Sequence, residues 1–199
     1  RDTQNGCKNT AVGYQSMLDA TSADCNVALG AYSLANNTTA DLNTALGACS
    51  MYTNGTGANN VAVGYSSLYS TTGSNNTAVG LNALVSSQGT NDSTAIGMRA
   101  LCSQTTGSNN TSVGYSSMCG VTTGVCNTSI GRLSGRITST GNNNASLGYD
   151  ANPSAFGSNN QITLGNSNNT NLRCADTSIS TLSDLRDKTN VEDIPHGLD

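Results

Sequence analysis

Short apolar pairs and long polar stretches alternate along this chain in a fixed cycle. An aliphatic residue followed by glycine recurs at Gly13, Gly30, Gly47, Gly64, Gly80, Gly97, Gly114, Gly131, Gly148 and Gly165. Every step is 17 residues except Gly64 to Gly80, which is 16. The residue before glycine is always Val, Leu or Ile, from Val12 to Leu164. Asn stands four places before it, from Asn9 to Asn144, replaced by Ser93 in the sixth copy and Gln161 in the tenth. A second apolar column stands four places after it: Met17, Leu34, Met51, Leu68, Leu84, Leu101 and Met118. Its preceding neighbour is small, as in Ser16, Ser33, Ala83 and Ala100. The rest of each unit is turn-forming, for example Thr72-Gly73-Ser74-Asn75.

The period decides the architecture. A helical-hairpin repeat needs roughly 30 residues or more, so this unit is too short for one. Aliphatic and β-branched residues between turn clusters predict strands instead. The expectation is an all-β fold: a parallel β-solenoid or β-roll of about ten coils, each with two short strands and two turns. Stacked coils repeat every 4.8 Å or so, which places equal register positions above one another. Val12, Leu29 and Leu46 then form one aliphatic ladder of the core, and Met17, Leu34 and Met51 another. The Ala or Ser column two before glycine takes the opposite strand face. Stacked Asn side chains can bond from coil to coil, and glycine suits a positive φ or a close approach. The second column lapses at Gly135 and Asn152, and Pro153 interrupts the ninth unit. The array is therefore assigned to residues 1–166, a junction or collar to 167–183, and a different module to 184–199.

Composition changes the picture in one respect. With no Trp, one Phe and 10% charged residues, two aliphatics per coil make a thin core. Area arithmetic leaves such a roll marginal alone. Three rolls around an axis would cover a further face, so a homotrimer is expected; a capped monomeric solenoid is the alternative. The net charge of −4 and the lack of a basic stripe exclude nucleic acid as a partner. No apolar run approaches the ~20 residues of a membrane span, so no membrane insertion is expected. Arg1 starts inside the array with no signal peptide, and the chain reads as part of a longer protein.

Seven cysteines, an odd number without a CxxC pair, argue against a full disulfide framework and against zinc. They read as small, partly buried side chains. Cys102 and Cys119 share a register position in neighbouring coils, about 5 Å apart and within disulfide range, with stacked free thiols as the other state. Asp19, Asp24, Asp41, Asp92, Asp150 and Asp176 are scattered and do not pair at a recurring register, so neither a glycosidase acid pair nor a calcium array is supported, and no cofactor is expected. Sequons at Asn37, Asn54, Asn91 and Asn168 fit chance in an Asn-rich chain. Tyr14, Tyr65, Tyr115 and Tyr149 follow the anchor glycine and read as local turn packing or a sugar-binding stripe.

Two stretches resemble known families. Asn9-Thr10-Ala11-Val12-Gly13-Tyr14, with Asn60 to Tyr65 as a close copy, resembles the head repeats of YadA-type trimeric autotransporter adhesins, and similar repeats occur in viral fibres. The resemblance covers residues 5 to 165 and implies a left-handed parallel β-roll with three chains about one axis. The unit here is longer than the adhesin unit, which implies more projecting turns. The second stretch is Ser183-Asp184-Leu185-Arg186-Asp187-Lys188-Thr189-Asn190-Val191, then Ile194 and Gly197-Leu198-Asp199. It is similar to the start of the endosialidase-type intramolecular chaperone domain (peptidase family S74) that ends phage tail fibres. Asp187 stands where that family often has an aliphatic residue, and Val191 where it often has Ile. The resemblance implies self-cleavage between Ser183 and Asp184, with Ser183 as nucleophile and Lys188 as its base. A desolvated Lys can accept a Ser proton; by spacing alone the segment also reads as a polar linker.

These readings make the chain a structural and adhesive module of a trimeric extracellular fibre, a phage tail fibre on a virion surface. The alternative is the head of a bacterial trimeric adhesin at the cell surface. No external substrate is expected. A host cell-surface glycan or protein receptor is the partner to expect besides the two other chains.

Overall fold

The computed structural model describes residues 6–171. Among them ten three-residue strands follow one another: β1 (Thr10–Val12), β2 (Val27–Leu29), β3 (Thr44–Leu46), β4 (Val61–Val63), β5 (Thr77–Val79), β6 (Thr94–Ile96), β7 (Thr111–Val113), β8 (Thr128–Ile130), β9 (Ala145–Leu147) and β10 (Ile162–Leu164). They form one parallel sheet whose spatial order is the chain order. Register sets Val12 beside Leu29, Leu29 beside Leu46, and Leu147 beside Leu164. The protein is thus an all-β solenoid with a coil of 17 residues. Contacts divide the chain into a unit of residues 1–168, which holds every one of these strands, and a unit of residues 169–199.

Each coil has one strand, not the two expected. The second apolar column is not extended: Met17, Leu34, Met51, Leu68, Leu84, Leu101 and Met118 have φ between 48° and 51°. The residues two after the first nine anchor glycines and five before all ten, such as Tyr32 and Leu42, share this left-handed conformation. Non-glycine residues adopt it at about 1–2 kcal/mol each. Inter-coil hydrogen bonds offset that cost at the same positions. Leu34 N–H donates to Ser50 O at 3.0 Å, Tyr32 N–H to Tyr14 O at 2.8 Å and Leu42 N–H to Asp24 O at 3.1 Å. The ladder therefore continues through the turns, and single left-handed residues bend the chain at the corners.

The interior is lined by small side chains. Ala28, Ala45, Ala62, Ala78 and Ala95, two before glycine, are fully buried, as are Ser33, Ser50, Ser67, Ala83 and Ala100, three after it. One large residue per coil, the Leu or Met of the second column, fills what remains. The expected core ladder of Val12, Leu29 and Leu46 is therefore a correction. Alternation along a three-residue strand puts either the central Ala or its two flanks inside. The roll is narrow enough to admit Ala, so the flanking aliphatics face outward.

The anchor glycines stack on one another. A Cβ on Gly47 would lie 2.5 Å from Gly64 O, and Gly47 has φ of 140°. The 16-residue coil loses its residue in the turn between Thr71 and Gly73, where the preceding coil has Asn54 to Gly57. Strand register survives, with Val63 beside Val79. Toward the end of the array Gly135 stands in place of the large residue, and a Cβ there would meet the Ser129 side chain first and Met118 Cγ at 3.0 Å.

Candidate functional site

The roll is held inside by an amide ladder. Asn26 N–H donates to Asn9 Oδ1 at 2.8 Å, Asn43 N–H to Asn26 Oδ1 at 2.8 Å and Asn60 N–H to Asn43 Oδ1 at 2.9 Å. The pattern runs on to Gln161 N–H, which donates to Asn144 Oδ1 at 3.0 Å. Each Asn also spends an Nδ2–H on a backbone carbonyl of the next coil, as Asn60 does on Gly73 O at 2.9 Å and Asn110 on Gly124 O at 2.7 Å. Ser93 keeps the first bond, accepting Asn110 N–H at 3.3 Å, but has no amide for the second. Gln104 supplies it: its Nε2 bonds Gly107 O, the carbonyl an Asn at 93 would reach, and Ser93 Oγ at 3.1 Å. Buried Asn37 and Asn54 close turns through Ala40 and Gly57. Their side chains lie inside the roll, whereas Asn91 and Asn168 are exposed.

An aliphatic stripe runs the length of the sheet's outer face, beside a flank that is mainly Thr. Val12 (56% exposed), Leu29 (50%), Ile96, Ile130, Leu147 and Leu164 stand open, and Val27, Val61 and Ile162 join them from the other flank of the strand. Over the last three strands the face forms a shallow groove lined by Ile130, Leu147, Ile162 and Leu164. Beside it the residues after glycine add Tyr14, Tyr65, Leu81, Met98, Tyr115 and Tyr149, all exposed.

Tyrosines cluster in two places. Tyr14, Tyr32, Tyr52 and Tyr69 make a chain of ring contacts, edge-on at 5.4 and 6.1 Å and then stacked at 5.2 Å. Desolvation between rings, then the neighbouring Tyr14 and Tyr52, raises the pKa of the Tyr32 hydroxyl. Farther along, the Arg132 guanidinium lies between Tyr115 and Tyr149, 5.4 and 5.3 Å from the ring centroids. Sequence reading noted Tyr14, Tyr115 and Tyr149 but missed Tyr32, Tyr52 and Tyr69, which occupy other register positions, and Arg132, which takes the same position as Tyr115 and Tyr149 and lies between them by stacking.

Ser183, Asp184 and Lys188 lie outside the described residues, as does Cys174. The six described cysteines are free thiols. Cys7, Cys25 and Cys126 are exposed rather than partly buried, because they sit in turns. Among the described residues no three His, Cys, Asp or Glu side chains converge on a metal site, and no helix is long and apolar enough to cross a membrane. In comparisons with known proteins, the chain matches no family model, no curated protein and no solved structure.

Proposed function

We propose that this chain is a structural and adhesive module of a homotrimeric extracellular fibre of the viral tail-fibre kind. Three rolls pack through their strand faces around one axis. The carrying observation is the aliphatic stripe along the outer face of β1 to β10. At 4.8 Å per rung this stripe is about 43 Å long, and monomeric proteins rarely expose contiguous apolar patches beyond a few hundred Å². A roll with one large core residue per coil gains by covering it. The role then resides in length, stiffness and repeated surface, with a cell-surface glycan or protein as receptor. Ser183 as nucleophile and Lys188 as base would release a C-terminal chaperone by cutting before Asp184, as the resemblance of residues 183–199 implies.

Light scattering tests the assembly. The expected mass is three times the 20.2 kDa of one chain; a monomer at micromolar concentration overturns the trimer. Leu46→Glu with Val79→Glu should give monomers with unchanged far-ultraviolet circular dichroism. Self-cleavage is tested in a chain extended past Asp199. Identical fragments from wild type and Ser183→Ala would refute the nucleophile assignment.

A further inference from the structure

Cys102 and Cys119 occupy the same register position, five after Gly97 and Gly114, in neighbouring coils. Both are free, and Cys102 is buried at 8% exposure. Leu101 N–H donates to Ser117 O at 3.0 Å, which locks the two coils at the residues just before the thiols. Cys102 Sγ lies 3.8 Å from Cys119 O and 3.8 Å from Ser103 Oγ. One coil spacing, about 4.8 Å, falls within the Cα separation a disulfide spans. We propose that Cys102 and Cys119 form a peroxide-reactive dithiol whose oxidation closes a covalent bridge between adjacent coils.

The surroundings divide the labour. A hydrogen bond from the Cys119 thiol, with further help from Ser103 and the Arg99 guanidinium, lowers the Cys102 pKa to about 5 against the opposing effect of burial. Cys119 moves the other way, held protonated first by its bond to Cys102 and then by burial. A thiolate beside a resolving thiol is the arrangement that peroxide oxidises selectively.

The Cys102 thiolate attacks one peroxide oxygen and the O–O bond breaks. Sulfur takes a hydroxyl to become the sulfenic acid, and the released hydroxide takes up a proton to become water. The negative charge that held Cys119 protonated is then gone. Cys119 sulfur attacks the Cys102 sulfur, the S–O bond breaks, and the departing hydroxide leaves as water with the Cys119 proton. Two thiols are oxidised and one peroxide is reduced to two waters. The proposal is independent of the trimer, because it rests on a turn column within one chain.

The test is peroxide treatment of the full chain, then alkylation and peptide mapping. Chymotryptic cleavage after Tyr115 separates the two cysteines, so their peptides stay joined only through the bridge. The expected result is joined peptides that dithiothreitol separates, in wild type and in Cys126→Ser alike. In Cys119→Ser the sulfenic acid should persist and be trapped by dimedone at Cys102. From about pH 8 to pH 6 the trapping rate at Cys102 should stay nearly flat, whereas an ordinary thiol loses roughly 75-fold of its thiolate. Unjoined Cys102 and Cys119 peptides from peroxide-treated wild type, or trapping at Cys102 no faster than at exposed Cys7 and Cys25 in Cys119→Ser, would overturn the proposal. The wild-type mapping decides it even where a variant fails to fold.

Discussion

A single amide in this roll serves two coils at once. Asn60 Oδ1 accepts Asn76 N–H at 2.9 Å, and Asn60 Nδ2 donates to Gly73 O at 2.9 Å. Asn60→Ala leaves both buried backbone groups unpaired, at about 1–3 kcal/mol each. The expected loss is about 2–5 kcal/mol, read from urea unfolding. The Ser93 and Gln104 pair gives a sharper test, since Gly107 O takes a side-chain donor from Gln104 where Ser93 offers no amide, whereas Gly57 O has both Asn43 and Asn54. Gln104→Ala should therefore destabilise the wild type more than it destabilises a Ser93→Asn chain. A double-mutant cycle should return a coupling of about 1 kcal/mol; additive effects would show that the two sites act separately. The Asn column was legible in the sequence. The role of Gln104 was not, because it depends on which carbonyl a neighbouring coil leaves without a donor.

At the scale of the coil, stacking makes some positions intolerant and leaves others open. A Cβ on Gly64, at φ of 124°, would lie 2.8 Å from the Gly80 carbonyl, whereas one on Gly55 meets nothing within 4 Å. Gly64→Ala should cost more than the roughly 4 kcal/mol that marks an exceptional substitution. Gly55→Ala should be neutral or stabilising by up to about 1 kcal/mol. Equilibrium unfolding of the two separates a steric requirement from a general effect of losing glycine. Leu68→Ala should cost about 2–5 kcal/mol, toward the upper end, because the inter-coil ladder keeps the walls from closing on the cavity. The period, the parallel register and the glycine stack could all be read from spacing. Strand count and facing could not. An aliphatic at position 68 looks alike in a strand or in a left-handed corner, and Val-Ala-Val at 61–63 has no polar residue to mark its solvent side. The rule that places large apolar residues inside gave the wrong face, since the interior is only wide enough for Ala there.

At the scale of the molecule, the roll is close to one-dimensional, with each coil touching its two neighbours. Such arrays gain stability through interfaces along the axis. Here the lateral apolar face offers a second source that an isolated chain leaves unused. Ile162, 79% exposed, and Leu164 carry that face to the last of the described strands. If three chains associate through this face, assembly is linked to folding, and the midpoint of unfolding depends on concentration. Forming a trimer from three chains involves two association steps. A tenfold rise in concentration therefore adds about 2.8 kcal per mole of trimer, at ~1.4 kcal/mol for each step. The melting temperature should rise with concentration, and Leu46→Glu with Val79→Glu should abolish the dependence as well as lower the melting temperature. A concentration-independent transition in the wild type would mean that the core of Ala, Ser and one Leu or Met per coil sustains the roll alone. The apolar face would then be free for a partner other than a copy of this chain.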